Sequence, residues 1–316
     1  MDKVFDVAVV GSGPAGLTAA IYTTRGSAST LILAGNVWGG QLMLTTTVEN
    51  FPGFPDGVMG PDIMANMRKQ AQNLGSKIVD ENVSEVDFSV DPFVLKSAGE
   101  SYQAKTVIIA TGAETLWLNV KGEKELIGRG VSSCAPCDAP FFKGKNVAVV
   151  GGGDAAMEEA LVLAKFANLV TVIHRRDSFK ASAVMQEKVL KNEKIKVLWN
   201  TEVQEVVGSD KLEKLILKNN KDNNVFDFAL DGVFVAIGHS PSSQIFQGKI
   251  DLDEKGFVKR FDDEKYRTKT SREGVFVAGD VHDHHYKQAI TAAGFGCMAG
   301  LDTLKYLEEN DHYGES

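Results

Sequence analysis

Val7-Ala8-Val9-Val10-Gly11-Ser12-Gly13-Pro14-Ala15-Gly16, near the start of the chain, returns as Val147-Ala148-Val149-Val150-Gly151-Gly152-Gly153-Asp154-Ala155-Ala156. In each copy a run of β-branched and small residues, the composition of a buried strand, leads into a glycine loop. Each loop opens a helical stretch, Leu17 to Arg25 in the first copy and Met157 to Ala164 in the second. The first glycine of such a loop turns the chain and the second lets a pyrophosphate approach the backbone. The third position, Gly16 or Ala156, must be small so that helix and strand can pack. The helix start then supplies free N–H groups and the positive end of its dipole. One copy alone could be an ordinary glycine turn. Two copies, each between a strand and a helix, point to two dinucleotide sites on two Rossmann-like α/β domains.

Further along, Val107-Ile108-Ile109-Ala110-Thr111-Gly112 reads as the strand that closes the first unit, and Val233-Phe234-Val235-Ala236-Ile237-Gly238 stands equivalently in the second. Val275-Phe276-Val277-Ala278-Gly279-Asp280 is a further strand without its own glycine loop, and is expected to return to the first domain. The second domain is then an insertion: residues 1–115 and 242–316 form one domain, and 116–241 the other. Thr291-Ala292-Ala293-Gly294-Phe295-Gly296-Cys297 begins a closing helix of small residues.

The strand end beyond each loop distinguishes the two nucleotides. After Val170-Thr171-Val172-Ile173 comes His174-Arg175-Arg176, with Lys180 close by. An acid at this strand end would bind a ribose 2′-OH, whereas arginine suits a 2′-phosphate through charge-assisted bidentate bonds. The second domain is therefore expected to take NADPH; a solvated basic turn is the plainer alternative. In the first unit the strand Thr30-Leu31-Ile32-Leu33 ends in Ala34-Gly35 with no acid, which disfavours NAD there. Backbone groups of Asn36-Val37-Trp38-Gly39-Gly40-Gln41 could take the acid's place.

The chain has three cysteines, too few for a disulfide scaffold, and two of them form Cys134-Ala135-Pro136-Cys137, followed by Asp138. A zinc site would need four ligands, and His282, His284 and His285 are remote in sequence. Two inert thiols are a second alternative. A redox pair is favoured, because thiol–disulfide exchange needs a thiolate and a nearby resolving sulfur. Asp138, if partly buried, would have a raised pKa and could donate a proton to a leaving thiolate. Cys297, among small helical residues, reads as a packed core thiol.

Composition narrows the function classes. The chain has 316 residues and a net charge of −8, which argues against a general nucleic-acid or membrane binder. No signal peptide and no membrane-length apolar run is present, so a cytosolic protein is expected.

Taken in order and spacing, these motifs resemble the low-molecular-weight, bacterial-type thioredoxin reductases along nearly the whole chain. The resemblance rests on Gly11 to Gly16, Gly39-Gly40-Gln41-Leu42, Val48-Glu49-Asn50-Phe51-Pro52-Gly53 and Ala110-Thr111-Gly112. It continues through Cys134 to Asp138, His174-Arg175-Arg176-Asp177, Gly238-His239-Ser240-Pro241, Gly279-Asp280-Val281 and Gln288-Ala289-Ile290. It implies a homodimer with FAD on the first domain and NADPH on the inserted one. Electrons would run from NADPH to flavin, to the cysteine pair, and to thioredoxin or a similar protein, with a domain rotation between half-reactions. Cys137 would face the flavin, Cys134 would attack the thioredoxin disulfide, and Asp138 would donate the proton. On the flavin side it implies contacts from Gly11, Ser12, Gly13, Pro14, Ala15, Gly16, Ala34, Gly35, Gly39, Gly40, Gln41, Asn50, Val83, Ala110, Thr111 and Gly112. Gly279, Asp280, Lys287, Gln288 and Ala289 complete that side, Asp280 on the ribityl chain and Gln288 and Ala289 at the ring's pyrimidine edge. On the NADPH side it implies Gly153, Asp154, His174, Arg175, Arg176 and Lys180.

Three features depart from the family pattern: Lys287 and Lys180 stand where arginine is usual, and Ala139 where glycine is. Lysine lacks the planar fork, which softens the expected NADPH preference. Among rival functions, a flavin-dependent ferredoxin reductase would not need Cys134 and Cys137, and a dithiol oxidase would not need the arginine pair. The flavoprotein half of a peroxide-reducing system would carry an extra N-terminal redox domain.

Overall fold

A computed structural model describes residues 3–310. The chain divides into two compact units, Met1–Glu114 with Ser240–Ser316, and Thr115–His239. The first unit runs β1 (Val4–Val10), α1 (Pro14–Arg25), β2 (Thr30–Leu33), β3 (Thr47–Val48), β4 (Val58–Met59) and α2 (Gly60–Asn73). It continues through β5 (Lys77–Val79), β6 (Val83–Asp87), β7 (Phe93–Ser97) and β8 (Glu100–Ile109). The chain leaves through β9 (Ala113–Thr115). The second unit holds β10 (Val131–Ser132), α3 (Ala135–Asp138), β11 (Asn146–Val150), α4 (Asp154–Leu163), β12 (Leu169–His174), α5 (Ala183–Leu190) and β13 (Ile195–Trp199). After β14 (Thr201–Gly208), β15 (Leu212–Asn219), β16 (Val225–Ala229) and β17 (Gly232–Val235), β18 (His239–Pro241) leads back to β19 (Val275–Val277) and α6 (Ala289–Glu309). β9 and β18 pair with each other as a two-stranded ribbon.

In the first unit the sheet order is β5-β2-β1-β8-β7-β6, and β19 also pairs with β8. β8 is long enough to serve three neighbours: Phe93 to Ser97 of β7 run antiparallel to its first half, and Val275 to Val277 lie parallel to Val107 to Ile109. The period-two alternation of β1 splits its side chains between two cores. Val7 and Val9 join Leu17, Ile32, Ile108 and Phe276 on the helix side, while Ala8 and Val10 join Leu31, Val107, Ile109 and Phe246 on the other. The small residues of α6 let it lie close on α1: a Cβ on Gly296 would stand 2.2 Å from the Ala15 carbonyl oxygen.

In the second unit a parallel sheet of order β10-β17-β11-β12-β13 carries the glycine loop after β11, and β14-β15-β16 form a separate antiparallel sheet. Both nucleotide helices begin three residues earlier than their sequence pattern suggests, at Pro14 and at Asp154. Pro14 suits the first helical position, where its missing N–H costs nothing and its fixed φ is already helical. Among the described residues no helix is long and apolar enough to cross a membrane.

Candidate active site

In the first glycine loop the three small positions do different jobs. Gly11 has φ +111°, and a Cβ on it would lie 2.2 Å from the Ala110 carbonyl oxygen. A Cβ on Gly16 would lie 2.2 Å from the Gly11 carbonyl oxygen. Both glycines are therefore demanded by protein packing alone. Around Gly13 nothing lies within 4 Å of a Cβ position, so the loop's middle is open to a ligand. Ser12 is buried and meets the loop through its backbone, because its hydroxyl donates to the Ala34 carbonyl at 2.7 Å and accepts the Gly39 N–H at 3.0 Å. That tie brings Gly39-Gly40 beside the loop, and a Cβ on Gly40 would stand 3.3 Å from Gly13 Cα.

The turn after β2, which lacks an acid, is held by an asparagine pair that sequence reading overlooked. Asn82 Oδ1 accepts the Asn36 N–H at 3.0 Å, and Asn36 Oδ1 accepts the Asn82 N–H at 3.2 Å. This reciprocal pair fixes the turn at Gly35 (φ +84°), whose Cβ would meet Asn82 Oδ1 at 3.1 Å. Val83, singled out in the sequence, follows Asn82, begins β6 and packs half-buried on the core. Thr111 Oγ1 donates to the Ser242 carbonyl at 2.6 Å, and Gly112 has φ +72°. Gln41 lies on a 3₁₀ turn and reaches the Ala113 carbonyl at 3.4 Å.

Asn50 and Gln288, far apart in sequence, meet: Asn50 Nδ2 donates to Gln288 Oε1 at 3.3 Å. Gln288 is also the N-cap of α6, in a reciprocal capping box with Thr291. Ala289 is that helix's first residue. Lys287 holds φ +49°, and Asp283 supports this turn by accepting the N–H groups of His285, Tyr286 and Lys287.

Gly279 (φ +77°) turns the chain at the end of β19, and a Cβ on it would press on the Ala15 Cβ at 2.8 Å. It presents Asp280, whose Oδ1 is buried with no hydrogen-bond partner. Burial, and then the charge of Asp283, push its pKa up to about 6. His282 Nε2 is likewise buried and unpartnered, with the ring 4.4 Å from that of Phe295. Burial, and then Arg260, push its pKa down to about 4. Unpaired buried polar atoms are costly, and two of them lie within three residues here.

The second loop repeats the division of labour. A Cβ on Gly151 would lie 2.4 Å from the Ala236 carbonyl oxygen and 2.7 Å from the Ala156 Cβ, while Gly153 is open on all sides to 4 Å. Gly152 is backed by an imidazole: its Cβ would fall 2.2 Å from His174 Cε1. The His174 ring is buried between Phe179 and Trp199, and its Nε2 lies 3.0 Å from the Ser178 carbonyl. It forms the floor of the loop, and burial lowers its pKa. Arg175, Arg176 and Lys180 come after it with exposed side chains. Asp154 opens α4 and accepts the backbone and side chain of Ser182.

Cys134 and Cys137 are joined as a disulfide, with Cα atoms 5.3 Å apart, at the single helical turn α3. The Cys134 carbonyl accepts the N–H groups of Cys137 and Asp138, which winds the turn. Ser132 Oγ accepts the Cys134 N–H at 3.1 Å and donates to Asp138 Oδ2 at 2.6 Å. Glu159 of α4 accepts the Ala135 N–H at 2.8 Å. Burial raises the Asp138 pKa, with the Ser132 bond opposing. Cys297 departs from the expected core thiol: it is half-buried on α6. Among the described residues no group of three His, Cys, Asp or Glu side chains gathers as around a metal ion.

Residues 5–296 match the family model described as pyridine nucleotide-disulphide oxidoreductase. The chain is 49% identical to a thioredoxin reductase of Streptomyces clavuligerus, over 97% of this chain and 95% of that one. Among solved structures, thioredoxin reductase from Giardia duodenalis superimposes with a TM-score of 0.92 at 38% identity, covering 97% of this chain and 100% of its own. The Streptococcus pyogenes thioredoxin reductase does so with a TM-score of 0.92 at 37% identity, covering 98% and 100%.

Proposed function

This chain belongs to the pyridine nucleotide-disulphide oxidoreductases, and within them to the thioredoxin reductases, and from that premise we propose how its own residues carry electrons from NADPH, by way of FAD, to thioredoxin. The observation that carries the reading is the Cys134–Cys137 disulfide held beside a half-buried acid, in a unit that also bears an open glycine loop and two arginines.

The residues present fit both cofactors. Gly13 and Gly153 leave open backbone where a pyrophosphate would lie, and the unpartnered Asp280 Oδ1 awaits a hydroxyl donor such as a ribityl chain. When bound, FAD supplies the two-electron relay between a nicotinamide hydride and a disulfide. Asn50, Gln288 and Ala289 would hold the flavin's polar edge, and Arg175, Arg176 and Lys180 the 2′-phosphate of NADPH.

Once the cysteine pair is reduced, the Cys134 thiolate attacks the thioredoxin disulfide, which forms a mixed disulfide and releases one thioredoxin thiolate. The Cys137 thiolate then attacks the Cys134 sulfur, which frees the second thioredoxin thiolate and restores the disulfide. Each leaving thiolate needs a proton. The Ser132 hydroxyl occupies Asp138 Oδ2, so the proton Asp138 delivers resides on Oδ1. Ser132 also fixes the Cys134 backbone, so acid and nucleophile are positioned by one side chain.

The NADPH loop and the cysteine pair share one unit, and both must reach a flavin held by the other. We therefore assign a rotation of the second unit about its two connecting segments between half-reactions. Tyr22, Ile290, Met298 and Leu301 expose an apolar face along α1 and α6, which supports a homodimer through the first unit. A reducing compartment, the cytoplasm, suits a dithiol that must be re-reduced.

The test is to purify the chain, record a flavin spectrum, and track NADPH and NADH oxidation with and without thioredoxin. Thioredoxin-dependent NADPH oxidation is expected; NADPH oxidation indifferent to thioredoxin would overturn the assignment.

A further inference from the structure

The exposed basic segment after β12 is tied back by five hydrogen bonds, one involving His174 and four to Gly152 and Asp154. His174 Nε2 is 3.0 Å from the Ser178 carbonyl. The Gly152 carbonyl accepts both the Lys180 N–H at 2.7 Å and the Ala181 N–H at 3.1 Å. Asp154 Oδ1 accepts the Ser182 N–H at 2.9 Å and the Ser182 hydroxyl at 2.7 Å.

The last contact is unusual in what it gives up. Ser182 is the N-cap of α5, where a serine hydroxyl ordinarily accepts an N–H of its own helix. Here it makes no capping bond and donates to Asp154 instead. Asp154 in turn is the first residue of α4, where a carboxylate would compete with a pyrophosphate for the helix N–H groups. Its two bonds from Ser182 turn it away from that role and toward the basic segment. The same bonds hold its pKa below the ordinary value, so the clasp is ionised at neutral pH.

We propose that Asp154 and Ser182 are positioning residues for cofactor selectivity: their clasp sets the place of the Lys180-bearing segment over the glycine loop, and so the fit of a 2′-phosphate, without either side chain touching it. The inference rests on the reading of the second unit as the NADPH site. A plain helix-stabilising acid at Asp154 would support the fold but would leave the choice between phosphorylated and unphosphorylated ribose unchanged.

The experiment uses the flavin-loaded enzyme and two probes that differ by one group, adenosine 2′,5′-bisphosphate and 5′-AMP, each titrated by calorimetry. Ser182→Ala is expected to weaken the bisphosphate about tenfold while 5′-AMP stays within about twofold, the size expected for one misplaced charge-assisted contact. Ser182→Thr keeps the hydroxyl and should restore the preference, and Asp154→Asn, which still accepts that hydroxyl, should keep most of it. Equal weakening of both probes would overturn the proposal, since the clasp would then serve only the glycine loop. Arg175→Ala with Arg176→Ala separates the clasp from the site it serves. If this double variant loses the bisphosphate preference and Ser182→Ala does not, the clasp is wrong and the site stands. If the double variant keeps the preference, the NADPH site itself is misassigned.

Discussion

Asp138→Asn isolates the proton from everything else this side chain does. Asparagine has the same size, and its carbonyl can accept the Ser132 hydroxyl that now donates to Asp138 at 2.6 Å. The turn at α3 is wound by backbone bonds to the Cys134 carbonyl, which the substitution leaves alone. What is lost is a transferable proton. General acid catalysis contributes about 10²–10⁴-fold, or about 2.7–5.4 kcal/mol at about 1.36 kcal/mol per decade. Thioredoxin-dependent turnover should fall by that amount while flavin reduction by NADPH keeps its rate. The pH profile is set by the raised pKa of Asp138, caused by burial against the opposing Ser132 bond. The acid form is depleted as pH rises through that raised value, so wild-type turnover should fall on the alkaline side and the variant should lack this limb. Stability runs the same way. The contribution of a raised carboxyl pKa is present below the ordinary value of 3.8 and is lost as pH rises through the folded value. Asp138→Asn should therefore melt no lower than wild type, and its advantage should grow as pH rises above 3.8. Stopped-flow turnover and paired melts check both halves. A variant with full turnover across the pH range would refute the acid, and one that melts lower at alkaline pH would show that the carboxylate is structural.

Three further outcomes are expected. Cys134→Ser should leave flavin reduction by NADPH intact and abolish thioredoxin reduction, whereas Cys137→Ser should accumulate a mixed disulfide visible on a non-reducing gel; thioredoxin reduction in both variants would disprove the exit route. Arg175→Ala with Arg176→Ala should raise KM for NADPH and spare NADH, each charged contact contributing about 1.5–3 kcal/mol, and equal loss with both nucleotides would count against the assignment. In the flavin-stripped chain, Asp280→Asn should stabilise at neutral pH by up to about 3 kcal/mol, because a pKa raised from 3.8 to about 6 takes away stability as pH climbs through that window; an unchanged melt would mean that the site relaxes around the charge.

The strand–loop–helix repeat was readable because each of its positions obeys a local rule. Gly11 and Gly16 are required by carbonyl oxygens 2.2 Å from their missing Cβ atoms, while the space at Gly13 is open, so that the protein itself does not demand glycine there. The arginine pair and the Cys-x-x-Cys were readable because charge and sulfur chemistry announce themselves in sequence. What escaped depends on chain segments that only folding brings together. The Asn36–Asn82 pair joins two turns across 46 residues, and nothing in either turn names the other. The Ser12 hydroxyl reaches Ala34 and, across 27 residues, Gly39, a bridge that no local pattern announces. The place of the His174 ring under Gly152 was likewise not legible, because it depends on β12 turning it inward toward Phe179 and Trp199. The helices began earlier than their apolar periodicity because Pro14 and Asp154, polar or irregular in pattern, are good first residues of a helix.

Asp280 and His282 carry a consequence as a pair. The acid's neutral form is favoured up to about pH 6, so its share of stability drains away as the solution becomes more alkaline between 3.8 and that value. The imidazole's neutral form is favoured down to about pH 4, so its share is complete above 6.5 and drains away as the solution becomes more acidic toward that value. Across most of the interval the two trends run in opposite directions and nearly cancel, and a flat melting curve for the flavin-free unit would be the sum of two steep ones. A hydroxyl donated to Asp280 would favour its ionised form and silence one of the pair. Loading with flavin should then leave the acid-side slope of His282 uncompensated by Asp280.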